Sequence, residues 1–222
     1  MIEMKELILV NFKTYEQGTG KSAMELAKVC AEVHAGGKVD VGAAVQAVDL
    51  GSVSGLELPV WGQHVDPVVY GSHTGHVLPE AVKGYGAVGT LLNHSEHRVS
   101  EEVIKKTIAR CKEAGLKVIL CVETPSEAAK FGLLGPDMIA IEPPELIGGD
   151  VSVSTAKPEL ISDTVKALKG TDIPVLCGAG VKNGADVAKA KELGAVGILL
   201  ASGVVKNEDP GKVLKEMVEA FL

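Results

Sequence analysis

Apolar residues in this chain gather in continuous runs of five to seven positions, and between the runs they recur every three or four. Short unbroken runs predict strands buried on both faces, and the wider spacing predicts amphipathic helices. Strands are predicted over residues 6–10, 39–45, 59–64, 87–92, 116–122, 137–141, 173–177 and 195–200. Helical stretches are predicted over 24–33, 47–53, 79–83, 99–113, 125–131, 157–169, 184–193 and 210–221. The boundaries carry their own chemistry: Ser100 is placed to cap one helix and Gly115 to stop it.

Strand and helix alternate eight times at about 28 residues per unit, the count of a compact (β/α)8 barrel, so residues 1–222 are expected to form one domain. A repeat supports ring closure. Gly86-Ala87-Val88-Gly89-Thr90-Leu91-Leu92 returns as Gly194-Ala195-Val196-Gly197-Ile198-Leu199-Leu200, displaced by 108 positions, half of such a ring. An open doubly wound sheet is the alternative, but no G-x-G-x-x-G follows the first strand.

Composition sharpens this picture. Hydrophobic content is 46% with one Trp, three Tyr and three Phe, so branched aliphatics build the core. Net charge is -7 with no basic run, which argues against a nucleic-acid partner. No signal peptide and no apolar run of about 18 residues is present, so a soluble cytoplasmic protein without a membrane partner is expected. Cys30, Cys111, Cys121 and Cys177 form no C-x-x-C and read as reduced core residues.

In barrels of this kind, functional groups sit at the C-terminal ends of the strands. Those ends carry Asn11 and Lys13 after the first, His94 and Glu96 after the fourth, and Glu142 after the sixth. Gly178-Ala179-Gly180 follows the seventh and Ala201-Ser202-Gly203 the eighth, two tips whose backbone N–H groups suit an anion. Glu142 is followed by Pro143-Pro144, which fixes the start of a loop, and by Gly148-Gly149, which frees its end. Such a segment suits a lid, and exclusion of water beneath it would raise the carboxyl pKa. Singly, each signal has a plainer reading: a strand-capping glutamate, a solvated lysine, a turn asparagine. His94 with His97, or His73 with His76, has metal-pair spacing, but no carboxylate or thiol cluster completes either set. No metal or cofactor is expected.

Taken together, Asn11-Phe12-Lys13, His94-Ser95-Glu96, Glu142-Pro143 with its glycine-bearing loop, and Cys177-Gly178-Ala179-Gly180-Val181 resemble the triosephosphate isomerase family over essentially the whole chain, in its short archaeal form. The resemblance implies a TIM barrel that interconverts dihydroxyacetone phosphate and glyceraldehyde 3-phosphate through an enediolate, in glycolysis and gluconeogenesis. It implies Glu142 as the base, His94 as a neutral electrophile and Lys13 as the charge-offsetting cation. Asn11 would polarise the substrate oxygens and Glu96 would position Lys13, while amides of Gly148, Gly180, Ala201 and Ser202 would hold the phosphate. A helix expected close behind His94 would keep its imidazole unprotonated. Glu145 stands where the commoner form has a lid tryptophan and Gly180 where it has a serine, so the contacts that latch the lid differ. The alternatives are another phosphosugar barrel, such as an epimerase, and a non-catalytic barrel that binds phosphorylated metabolites. The connection over residues 65–77, with Ser72-His73-Thr74-Gly75, resembles the family's subunit-docking loop, and a homo-oligomer (dimer or tetramer) is expected.

Overall fold

The computed structural model describes residues 6–37, 39–146 and 152–222. Its elements in order are β1 (Leu7–Asn11), α1 (Lys21–His34), β2 (Asp40–Val45), α2 (Leu50–Val53), β3 (Val60–Gly62), α3 (Pro79–Gly84), β4 (Gly89–Leu92), α4 (Glu101–Ala114) and β5 (Lys117–Val122). Then come α5 (Pro125–Gly132), β6 (Met138–Ile141), α6 (Val153–Ala156), α7 (Pro158–Ala167), β7 (Val175–Cys177), α8 (Gly184–Glu192), β8 (Gly197–Leu200), α9 (Ser202–Val205) and α10 (Pro210–Phe221). The strands pair in parallel, each with the next, and β8 returns to β1 to close the ring. No helix among the described residues is long and apolar enough to cross a membrane.

The strands are buried on both faces, which is why they read as unbroken apolar runs. Alternate residues divide between two cores. Leu7, Leu9, Ala44, Trp61, Leu91, Ile119, Cys121, Ala140, Leu176 and Leu199 fill the barrel interior. Ile8, Val10, Val41, Leu120, Ile139 and Ile198 point outward and pack beneath the helices with Leu26, Ile104, Ile108, Val187 and Met217. Cysteines 30, 111, 121 and 177 are all free and buried in these cores.

The repeat at 86–92 and 194–200 has a steric explanation. Gly89 pairs with Trp61, and a Cβ on it would stand 2.3 Å from the indole and 2.5 Å from the Lys117 carbonyl. Gly197 lies between Leu7 and Leu176, where a Cβ would meet the Leu7 carbonyl at 2.4 Å and Leu176 Cδ2 at 2.7 Å. Both strands therefore begin with a residue that makes room for its neighbours.

Helix ends follow local chemistry. Ser100 accepts the Val103 N–H at the start of α4, and Gly115 ends it in the left-handed conformation at φ 70°. Thr124 and Asn183 cap α5 and α8 in the same way as Ser100. Some features depart from the sequence expectation. The short helix α6 has no counterpart in it, because four residues are too few to show a period; the strands over 59–64 and 173–177 shrink to three residues each at β3 and β7, and the helix over 47–53 to four at α2.

Candidate active site

The C-terminal ends of the strands open on a small cleft, lined among others by Asn11, Lys13, His94, Glu142, Gly180, Ala201 and Ser202. Five segments distant in sequence thus contribute to one small space. Glu96 lies on the adjoining side, where a second cleft shares Asn11, Lys13 and His94. Gly148 lies outside the described residues.

Glu142 follows β6 directly, its N–H donating to the Val122 carbonyl at 2.8 Å. The side chain is 1% exposed, and its Oε2 makes no protein hydrogen bond. Burial pushes its pKa up to about 8, against the opposing pull of the Cys121 thiol and the Lys13 ammonium. Gly178 is what lets this carboxylate lie where it does. A Cβ there would stand 2.4 Å from Glu142 Cγ.

The imidazole of His94 faces the carboxylate, with Nε2 3.5 Å from Glu142 Oε1. Nδ1 accepts the Glu96 backbone N–H at 3.1 Å, which leaves the proton on Nε2, the nitrogen that faces the cleft. Burial and the Lys13 charge lower its pKa to about 4, so the ring is neutral at ordinary pH. The expected cause is corrected here: α4 begins only at Glu101, seven residues on, so desolvation and a nearby cation act in place of a helix terminus.

Lys13 is held at both ends. Its ammonium donates to Glu96 Oε1 at 2.7 Å, and its backbone adopts φ 49°. Asn11 Oδ1 accepts its N–H at 3.0 Å, and Gln63 Nε2 donates to its carbonyl at 3.0 Å. A left-handed backbone outside glycine is costly and persists only where neighbours determine it, as these amides do.

At the opposite end of the cleft, Gly180 adopts φ 70°, and Gly203 brings α9 against the backbone of Val181 and Lys182. A Cβ on Gly203 would meet Lys182 Cα and the Val181 carbonyl at 3.0 Å each. The two tips therefore converge. Ala179 and Val181, part of the expected glycine tip, line the space as well, and so do Tyr15 and Lys182, to which the sequence reading gave no role. Lys182 carried a usable signal, since it is a cation two residues after the Gly178–Gly180 tip.

The segment after Glu142 begins with a 3-10 turn over Pro144–Leu146. Glu145 forms an ion pair with Lys157, which lies beyond the undescribed stretch 147–151. Val153 N–H donates to the Ala179 carbonyl at 3.1 Å, tying the far side of that stretch to the glycine tip. Among the described residues, no group of three or more His, Cys, Asp or Glu converges as a metal-ligand set.

Residues 6–221 match the family model described as triosephosphate isomerase. The chain belongs to the triosephosphate isomerase family. Family membership makes it an isomerase. It is 44% identical to the triosephosphate isomerase of Methanocaldococcus jannaschii, covering 96% of this chain and 99% of that protein. It is 45% identical to that of Methanothermus fervidus, covering 96% and 98%. The crystal structure of triosephosphate isomerase from Bartonella henselae superposes with a TM-score of 0.77 at 18% identity, over 98% of this chain and 99% of that one. That likeness concerns the fold. Triosephosphate isomerases are themselves a standard illustration of carboxylate and imidazole pKa tuning and of lid closure.

Proposed function

We propose that this chain interconverts dihydroxyacetone phosphate and glyceraldehyde 3-phosphate by moving one proton between adjacent carbons through an enediolate. The observation that carries the reading is the pairing of a buried carboxylate, one of whose oxygens lacks a partner, with a neutral imidazole that presents its N–H to the same cleft.

In this reading Glu142 removes the proton from the carbon beside the substrate carbonyl and returns it to the neighbouring carbon. A carboxylate raised toward pH 8 is a stronger base than a solvated one. His94 donates from Nε2 to whichever substrate oxygen gains charge. A neutral donor matched to a developing oxyanion serves both directions, because it can return the same proton. Lys13 offsets charge on the enediolate and the phosphate, and Glu96 holds its ammonium in place. Asn11 polarises the substrate oxygens while its side chain keeps Lys13 left-handed.

Amides of Gly148, Gly180, Ala201 and Ser202 bind the phosphate. Fixing that group away from the reacting carbons orients them between base and imidazole. Residues 1–222 are taken as one domain, acting in the cytoplasm on a small phosphorylated triose, without nucleic acid or cofactor. The protein is a homo-oligomer, a dimer or a tetramer, through the exposed loop 65–77. That loop is closed at its base by Asp66, whose N–H and carboxylate bond Val77, and it presents Val69 and Tyr70 to solvent.

The test is a coupled assay of both directions of the interconversion, run with chelator present. Turnover of both trioses supports the reading. Binding of triose phosphates without turnover removes it.

A further inference from the structure

The residue before His94 is as constrained as any in the described chain. Asn93 follows β4 at φ 62°, and apart from Lys13 it is the sole non-glycine at positive φ among the described residues. It is 1% exposed, and both ends of its side-chain amide are used. Nδ2 donates to the Cys121 carbonyl on β5 at 3.0 Å, and Oδ1 accepts the Val99 N–H at 3.1 Å.

We propose that Asn93 is a positioning residue, whose amide clamp between β5 and the lead into α4 sets the angle at which His94 meets the substrate and steadies the turn that carries the Glu96 N–H bond to its ring. The inference rests on the role given to His94 above. The turn after Asn93 is internally closed, because His97 N–H donates to the His94 carbonyl at 2.8 Å and Glu96 N–H to the ring at 3.1 Å. Those bonds fix the ring relative to the turn. They do not fix the turn relative to the barrel, and the Asn93 amide does, by one bond to each flanking element. The strand it grips is also the one whose Cys121 adjoins Glu142, so a single clamp sets the distance between imidazole and base.

A plainer role is conformational tolerance, since asparagine accepts the left-handed region better than most residues. Glycine separates the two. Asn93→Gly keeps the backbone free to adopt φ 62° but removes both clamps, and Asn93→Ala removes them and adds strain.

The expected result for Asn93→Gly is a kcat at least tenfold below wild type with KM within about twofold. The histidine ¹⁵N spectrum should show the His94 signals moving from the Nε2-protonated pattern toward a tautomer average. Asn93→Ala should lose more, with a lower melting temperature. A glycine variant with wild-type kcat and an unchanged His94 spectrum overturns the proposal. Should neither variant fold, the wild-type spectrum still decides: a mixed or Nδ1-protonated His94 in the intact enzyme contradicts the ordered turn that the clamp is proposed to hold. Wild-type turnover reports on the functional reading, whereas the comparison of variants reports on Asn93, so each fails separately.

Discussion

At the residue scale, burial keeps Glu142 protonated to higher pH, and His94 neutral to lower pH, than either would be in water. Glu142 has its pKa raised to about 8, so the folded state holds a proton that the unfolded chain releases near pH 4.5. Its contribution to stability is full below 4.5 and is lost as pH rises toward 8. His94 has its pKa lowered from 6.5 to about 4, so its contribution is present above 6.5 and lost as pH falls toward 4. Between 4.5 and 6.5 the two slopes oppose each other, and above 6.5 only Glu142 acts. Glu142→Gln is therefore expected to be more stable than wild type by a margin that widens from pH 5 to 8, as read by thermal melting across that range. An equal margin at both ends contradicts the burial assigned to this carboxylate. Activity has the opposite sign, since kcat/KM should rise with pH as Glu142 loses its proton, while His94 stays neutral throughout.

Gly178 belongs to the same scale. Gly178→Ala places a methyl within contact of Glu142 Cγ and should displace the proposed base by a fraction of an ångström, lowering kcat about tenfold or more. Steady-state kinetics with a melting curve as control will measure it. Residue identities at the strand ends were legible in the sequence because glutamate, histidine and lysine are conspicuous after apolar runs. The roles of Gly178 and Asn93 were not. A glycine's missing Cβ matters only against a specific neighbour, and an asparagine's clamp exists only once β5 and the lead into α4 lie on either side of it.

At the scale of elements, the strands were readable because burial on both faces leaves an unbroken apolar signature, and α1, α4 and α10 because their apolar spacing is long enough to show. Elements of three or four residues, such as β3, α6 and α9, are fixed by neighbours and leave little periodic trace. The paired glycines give this scale its prediction. Gly89→Ala and Gly197→Ala each insert a methyl where the neighbouring backbone is closer than 2.6 Å, and each should destabilise the fold by about 3 kcal/mol or more. Gly55→Ala, at a position with open space around its Cβ, is the control and should cost far less. Urea unfolding of the three variants distinguishes them. Tolerance of alanine at Gly89 or Gly197 contradicts the packing described.

At the scale of the whole molecule, the closed ring turns five separated segments into one cleft, and the loop 65–77 stands outside it with Val69 and Tyr70 exposed. Arg110 donates to the Val68 carbonyl at 3.2 Å and pairs with Glu80, so the loop is braced against α3 and α4. A braced loop that presents apolar side chains suits a docking surface. Light scattering at micromolar concentration should give a mass of two or four chains, and Tyr70→Asp should lower it. A monomer under those conditions rejects the assembly. Ring closure was legible from the count of units and the half-ring repeat. The stretch at 147–151, including the phosphate role expected of Gly148, lies outside the described residues.

The central claim is that Glu142 carries the proton between two carbons of one bound triose phosphate, and isotope exchange tests it most directly. In deuterium oxide, wild-type protein should incorporate solvent deuterium at the carbon that exchanges its proton. Glu142→Gln should slow that incorporation by about 10³-fold while its affinity for a phosphate-bearing analogue stays within about threefold. Deuterium uptake by Glu142→Gln at the wild-type rate contradicts the account.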